Sequence, residues 1–203
     1  MKNYLFILLI CLGCASKKEI VAPKFESKIV SNEKLSCRAI FVDTDKVWLG
    51  MDKGRYGFYD KKKDTLVVKT IQSVSNTTEF RSIAATKDAI FILAVGNPAK
   101  LIKIDKKSLQ ETIVYLEEND KVFYDSMQFV DNLNGFAMGD PTEDCLSFIK
   151  TTDGGNSWEK ISCANLPKVS EGEAAFATSN TNLIVKGKSI FMASGGKKSR
   201  VFV

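Results

Sequence analysis

Four times the chain writes the same pattern: a short apolar alternation, a polar turn, a second apolar run and then a glycine. The first copy is Ala39-Ile40-Phe41-Val42, a turn over 43–46, then Val47-Trp48-Leu49-Gly50. The second runs from Ser82-Ile83-Ala84-Ala85 to Gly96, and the third from Met127-Gln128-Phe129-Val130 to Gly139. The fourth starts at Ala174-Ala175-Phe176-Ala177 and, after a longer insertion, reaches Gly195. The landmark glycines Gly50, Gly96, Gly139 and Gly195 recur at intervals of roughly 45 to 55 residues, which is the length of one propeller blade. After each of the first three glycines comes a further strand that ends in an aspartate, Asp60, Asp105 or Asp153, and a turn then leads into a fourth apolar run. Four short strands per unit, with tight turns and no helical period, predict an all-β fold of four-stranded antiparallel blades.

The predicted organisation has a leader over residues 1–14, a tether over 15–35, and blades over about 36–78, 79–120, 121–168 and 169–203. The last unit ends within its third strand, so the expectation is three and a half to four blades of a six- or seven-bladed parent. In the leader, Lys2 precedes a nine-residue, mostly apolar stretch that ends at Leu12-Gly13-Cys14. That is too short for a bilayer span, which needs about 20 residues. The segment resembles a bacterial lipoprotein signal, although Cys11 departs from the usual large aliphatic residue. The resemblance implies a lipid on Cys14, a membrane tether, and a place in the bacterial cell envelope.

Chemistry is constrained by what the composition lacks. There is no histidine, which removes Ser-His-Asp and Cys-His catalysis and the commonest general base near neutral pH. The 29 basic and 24 acidic side chains leave a net charge of +5, too little to point to nucleic acid. No Gly-x-Gly-x-x-Gly motif opens a helix, and Gly195-Gly196-Lys197-Lys198-Ser199 lacks the Walker spacing, so no cofactor is expected. Outside the leader, where Cys11-Leu12-Gly13-Cys14 belongs to the signal-like segment, no C-x-x-C motif occurs, so no metal is expected. Cys145 and Cys163 lie equally far from Gly154. A hairpin centred there would set them opposite each other for a disulfide; a register slip of one residue would leave them reduced and turned apart.

Thr151-Thr152-Asp153-Gly154-Gly155-Asn156-Ser157-Trp158 matches the Asp-box of the sialidase-like (BNR) repeats. The reading is structural: Asp153 takes turn N–H groups, the glycines permit positive φ, and Trp158 covers the flank, with Thr151, Gly155 and Ser157 completing the motif. Residues 123–201 resemble bacteroidete envelope propellers related to the photosystem II assembly-factor-like proteins. That likeness rests on Tyr124-Asp125-Ser126-Met127, Gly139-Asp140-Pro141, the Asp-box, Glu171-Gly172-Glu173-Ala174-Ala175-Phe176 and residues 195–201. It implies a propeller without an established reaction, and members continue for further blades where this chain stops.

In a four-stranded antiparallel blade, the connection after the second strand and the connection to the next blade share one face. That face is predicted to collect Arg55, Tyr124, Asp125, Asp140, Glu171, Glu173, Lys197, Lys198 and Arg200. These form a candidate ligand face with no assigned catalytic residue. The leading expectation is an envelope-anchored, non-catalytic scaffold for a protein or glycan partner. The alternative is a glycoside hydrolase or sialidase-like enzyme completed by further blades, with Glu171 and Glu173 at strand spacing, about 6.6 Å, inside the carboxylate separation that glycosidases use.

Overall fold

The computed structural model describes residues 24–176 and 180–203, so Cys14 and the leader lie outside the described residues. Blade one is β1 (Cys37–Val42), β2 (Lys46–Met51), β3 (Arg55–Asp60) and β4 (Thr65–Thr70), in that spatial order. Blade two is β5 (Phe80–Ala85), β6 (Ala89–Ala94), β7 (Ala99–Asp105) and β8 (Glu111–Glu117). Blade three is β9 (Tyr124–Phe129), β10 (Gly135–Gly139), β11 (Ser147–Thr151) and β12 (Glu159–Lys160). After them come β13 (Glu173–Ala174), β14 (Leu183–Lys186), β15 (Ser189–Ala193), β16 (Gly195–Gly196) and β17 (Val201–Phe202). Every pairing is antiparallel between consecutive strands, apart from a two-residue ladder of β13 with β16 and the β15–β17 pair. The inner strands β1, β5, β9 and β14 lie beside one another in succession, so the blades are radial neighbours of an all-β propeller.

Packing explains the apolar runs. A middle blade is covered on both faces, so its second strand reads as a continuous hydrophobic segment with period-2 division of labour. All six residues of β6 are buried. Ile90 and Ile92 join Trp48, Tyr56 and Phe58 of blade one, whereas Phe91 and Leu93 join Tyr124, Met127, Ile149 and Trp158 of blade three. A third core, of Met138, Leu146 and Phe148 with Leu183, Ile190 and Met192, joins blade three to the strands that follow.

One expectation is corrected here. The fourth unit does not open on Ala174-Ala175-Phe176, Ala177 lying outside the described residues: its inner strand is β14, which pairs with β15, while Ala174 pairs with Gly195 in a separate short ladder. The physical reason is an ion pair between Glu173 and Arg200 that draws the insertion against the β15–β17 connection. Gly196, at φ 100°, lets the backbones approach there, since a Cβ would lie 2.2 Å from the Gly172 carbonyl oxygen.

The turn aspartates act alike. Asp60 Oδ1 accepts the N–H groups of Lys62 and Lys63, Asp105 Oδ1 those of Lys107 and Ser108, and Asp131 Oδ1 those of Leu133 and Asn134. Asp153 Oδ1 takes Asn156 N at 2.9 Å and Ser157 N at 3.1 Å, and its Oδ2 takes the Ser157 hydroxyl at 2.7 Å. The Ser157 hydroxyl, with further bonds from the Ser157 and Asn156 N–H groups and from Thr151, lowers the Asp153 carboxyl to about 2. A carboxylate with a lowered folded-state value contributes its stability above the ordinary carboxylate range and loses it as pH falls through the folded value. The stability gap between the wild type and Asp153→Asn is therefore expected to be full at neutral pH and to shrink between about pH 4 and 2. Urea melts over that range check this, and a gap independent of pH would refute it.

Candidate functional site

The two kinds of connection meet on one face, as their hydrogen bonds show. In blade one, Gly54 N donates to Thr78 O at 2.8 Å. In blade two, Asn97 Nδ2 donates to Asp120 Oδ1 at 3.1 Å, and in blade three Asp140 N donates to Phe123 O at 2.7 Å. Beyond blade three, Lys197 N donates to Gly172 O at 3.0 Å. The Asp153 turn lies at the opposite end of its blade, where Lys103 Nζ of blade two reaches Asn156 Oδ1 at 2.6 Å.

At this mouth the inner strands share a device that the repeat pattern does not reveal. In β1 the register with β2 slips between Cys37 and Ala39, and in β5 the register with β6 slips between Phe80 and Ser82. In β9, Tyr124 opposes Gly139 but Ser126 opposes Met138. Arg38, Arg81 and Asp125 are thus the extra residues of three equivalent β-bulges. Bulges re-aim a side chain and are common beside binding sites. Each of these is an ionisable side chain at the head of an inner strand. The local signal is an ionisable residue followed by a small one: Arg38-Ala39, Arg81-Ser82 and Asp125-Ser126.

The three differ in surroundings. Arg38 is exposed. Arg81 is half-buried; its Nε and Nη2 both donate to Glu79 Oε2, at 3.1 and 2.9 Å, and its guanidinium stands 5.7 Å from the Phe123 ring centre. It lines a cleft of about 350 Å³ with Thr78, Glu79, Gly96, Asn97 and Lys100. Asp125 is only 1% exposed. Burial, reinforced by the charge of Asp140 and opposed by Arg81, pushes its carboxyl up to about 8.

The other mouth residues are held in several ways. Arg55 is ion-paired to Asp52, and Lys197 to Glu171 at 3.0 Å. Lys198 is exposed. Tyr124 is turned down into the interface with blade two, where its hydroxyl and that of Tyr115 both donate to Glu117 Oε2, at 2.8 and 2.7 Å. Asp140 Oδ1 accepts the Ala175 N–H at 2.8 Å. Glu173 is buried: Arg200 Nε donates to its Oε1 at 2.9 Å and Arg200 Nη2 to its Oε2 at 2.6 Å, and the Ser170 N–H and Ser194 hydroxyl donate as well. The Arg200 guanidinium holds the Glu173 carboxyl at about 2, so it is a clamped anion with its acceptor sites taken up. Glu79, Glu117, Arg38 and Arg81 were not among the sequence-derived candidates.

Cys145 and Cys163 are joined by a disulfide with Cα atoms 5.4 Å apart. The route differs from two facing strand positions: β12 ends at Lys160, Cys145 forms an isolated bridge with Lys168, and Cys163 opens a 3-10 turn.

The class that this architecture defines is the β-propeller, and comparison with solved structures places the chain there. It is similar to YCF48 bound to D1 peptide, with TM-score 0.54 and 12% identity over 86% of this chain and 57% of that one. It is likewise similar to U3-55K, with TM-score 0.55 and 9% identity over 86% of this chain and 54% of that one. The computationally designed Ika4 protein matches with TM-score 0.55 and 14% identity over 88% of this chain and 98% of that one. The chain thus spans little more than half the length of the two natural proteins. No protein-family model matches the sequence, and no curated protein matches it.

Proposed function

We propose that this chain is part of a non-catalytic propeller, tethered to the bacterial envelope by a lipid on Cys14, that binds a segment of a partner protein across its mouth. The observation that carries the reading is the pair of bulges that set Arg38 and Arg81 at equivalent positions around one opening, while the equivalent third bulge carries a buried Asp125. A repeated distortion is costly to keep in a ladder unless its side chains are used, and loops and bulges on a rigid scaffold are where function sits. One structural neighbour is YCF48 bound to D1 peptide, so a protein of this fold is able to hold a peptide. The Asp153 turn is the Asp-box of this reading, a folding device remote from the mouth. The hydrolase alternative draws no support from Glu171 and Glu173, because the Glu173 carboxylate is clamped by Arg200 and the exposed Glu171 is left without a second free carboxylate.

Photo-cross-linking tests this. With p-benzoylphenylalanine at position 198 on the mouth, irradiation in an envelope preparation is expected to give an adduct mapping to one protein segment. At position 62, on the opposite face, it is expected to give none. Arg38→Ala together with Arg81→Ala is expected to lower the adduct yield at least about tenfold. Equal adducts from both faces, or release of sugar from a glycan panel by the purified protein, would overturn the proposal.

A further inference from the structure

The inner strand of each blade keeps one edge outside its own ladder, and that edge presents N–H and C=O groups open to another partner. On β5 and β9 a side-chain amide is that partner: Asn180 Nδ2 donates to Ile83 O at 3.1 Å, and Met127 N donates to Asn180 Oδ1 at 2.8 Å. On β14, Val185 N donates to Gln128 Oε1. The edge of β1 is bare. Asp43 N donates to Lys46 O, which closes the β1–β2 turn as a hydrogen-bonded pair. Such pairs alternate along an antiparallel ladder, so Phe41, opposite Trp48, is bonded to β2. Ile40, opposite Leu49, and Val42, opposite Val47, therefore turn their N–H and C=O groups to the free edge. Among the described residues none of these groups has a hydrogen-bond partner. The Ile40 and Val42 side chains are 62% and 67% exposed, and the run from Ala39 to Val42 holds no proline and no charge to blunt the edge.

We propose that the inner edge of β1 is a strand-addition site, on which an extended segment of a partner protein pairs with the backbone of Ile40 and Val42. The inference rests on the reading that the mouth takes a partner segment, and it gives that segment a path. Donors and acceptors that recur at every second residue, about 6.8 Å apart, are matched by another extended backbone. The other inner strands show the same chemistry on a smaller scale, since the Asn180 carboxamide is the side-chain counterpart of a peptide group. Ile40 stands two residues beyond the bulged Arg38, as Ile83 and Met127 stand two beyond Arg81 and Asp125, so the bare position on β1 is the counterpart of the two that Asn180 fills. Arg38 marks the mouth end of the edge. At the other end lies an open cleft of about 540 Å³, lined by Phe41, Asp43, Thr86, Lys87, Phe129 and Asn132 among others. A segment entering at the mouth thus runs along β1 towards that cleft, with the exposed Ile40 and Val42 side chains as its cross-strand contacts. Main-chain bonds supply the affinity in this mode, so pairing tolerates many sequences.

The test is residue-resolved amide exchange by NMR on the chain alone and with a short acetylated peptide that alternates threonine and valine between a lysine and a glutamate. In the free chain the Ile40 and Val42 amides are expected to exchange at least about a hundredfold faster than that of Phe41. With the peptide at about 1 mM both are expected to slow at least about tenfold. The same peptide N-methylated along its length keeps its side chains and loses its donors, and it is expected to protect neither amide. Ile40→Pro removes an edge donor that no ladder bond uses and is expected to weaken peptide binding about tenfold or more, whereas Ile40→Thr is expected to stay within about threefold of the wild type. If Ile40→Pro misfolds, the N-methylated peptide carries the same comparison. Protection of Ile40 and Val42 in the free chain would refute the site, either at every protein concentration, from cover by the chain itself, or at high concentration alone, from pairing of two copies. Exchange unchanged by the peptide, or slowed equally by its N-methylated form, would refute it too. The probe is synthetic, so these outcomes are separate from the cross-linking result on which the partner reading stands or falls.

Discussion

Replacing Trp158 by alanine is expected to lower the unfolding free energy by about 3–5 kcal/mol, the range for a buried aromatic truncated to a methyl group. Trp158 is 8% exposed and stands with its ring centre 5.7 Å from Phe129 and 6.3 Å from Phe91, edge-on to both. Phe91 and Phe129 are themselves 4.7 Å apart, so one aromatic cluster joins blade two to blade three. The indole N–H has no acceptor, so the substitution removes packing and breaks no hydrogen bond. The cavity cannot collapse easily, because Gly155 already lies against the Phe91 ring, where an added Cβ would meet Phe91 Cε1 at 2.3 Å. Urea denaturation of the wild type and Trp158→Ala measures the loss. A change below about 1 kcal/mol would show that the turn hangs free of the core instead of joining two blades.

The same cluster shows what was legible in the sequence. Residues 151–158 announce a turn, an oxygen cap and an aromatic cover within eight positions, and the structure builds them from local hydrogen bonds. The alternation in β6 and the glycine spacing likewise carry the blade architecture, because a sheet covered on both faces leaves a continuous apolar trace. What was not legible depends on contacts between distant residues. Arg38 and Arg81 read as ordinary strand charges until the ladder register shows each one displaced onto a bulge. The pairing of Glu173 with Arg200 joins residues 27 apart in sequence and moves the start of the fourth inner strand to Leu183. Tyr124 and Asp125 were expected on the ligand face because of where they fall in the chain. Tyr124 is instead held by Glu117 of blade two, and Asp125 is buried on its bulge near Asp140 and Arg81.

Removing the Cys145–Cys163 disulfide, as Cys145→Ser with Cys163→Ser or by reduction, is expected to cost about 3 kcal/mol, the loop-closure value for a ring of this size, given a sequence separation of 18. The loss should be local as well as global. Cys163 stands at the head of the insertion, in a turn capped by the Ser162 side chain, while Cys145 is buried just before β11, inside blade three. Without the covalent tie, the insertion is held to blade three by the Lys168 bridge, the Val169 N–H to Asp144 O bond at 2.9 Å and the Lys168–Asp144 ion pair. Both partners of that ion pair are exposed, so the pair adds little. Further along, the same insertion supplies Glu173 to Arg200 and Ala175 to Asp140, so loosening its root releases one wall of the mouth. Hydrogen exchange after reduction is expected to speed up across residues 161–176 first, with blades one and two protected as before. Uniform loss of protection across the chain would mean that the disulfide staples the whole propeller, and unchanged exchange would mean that the insertion is held by its packing alone.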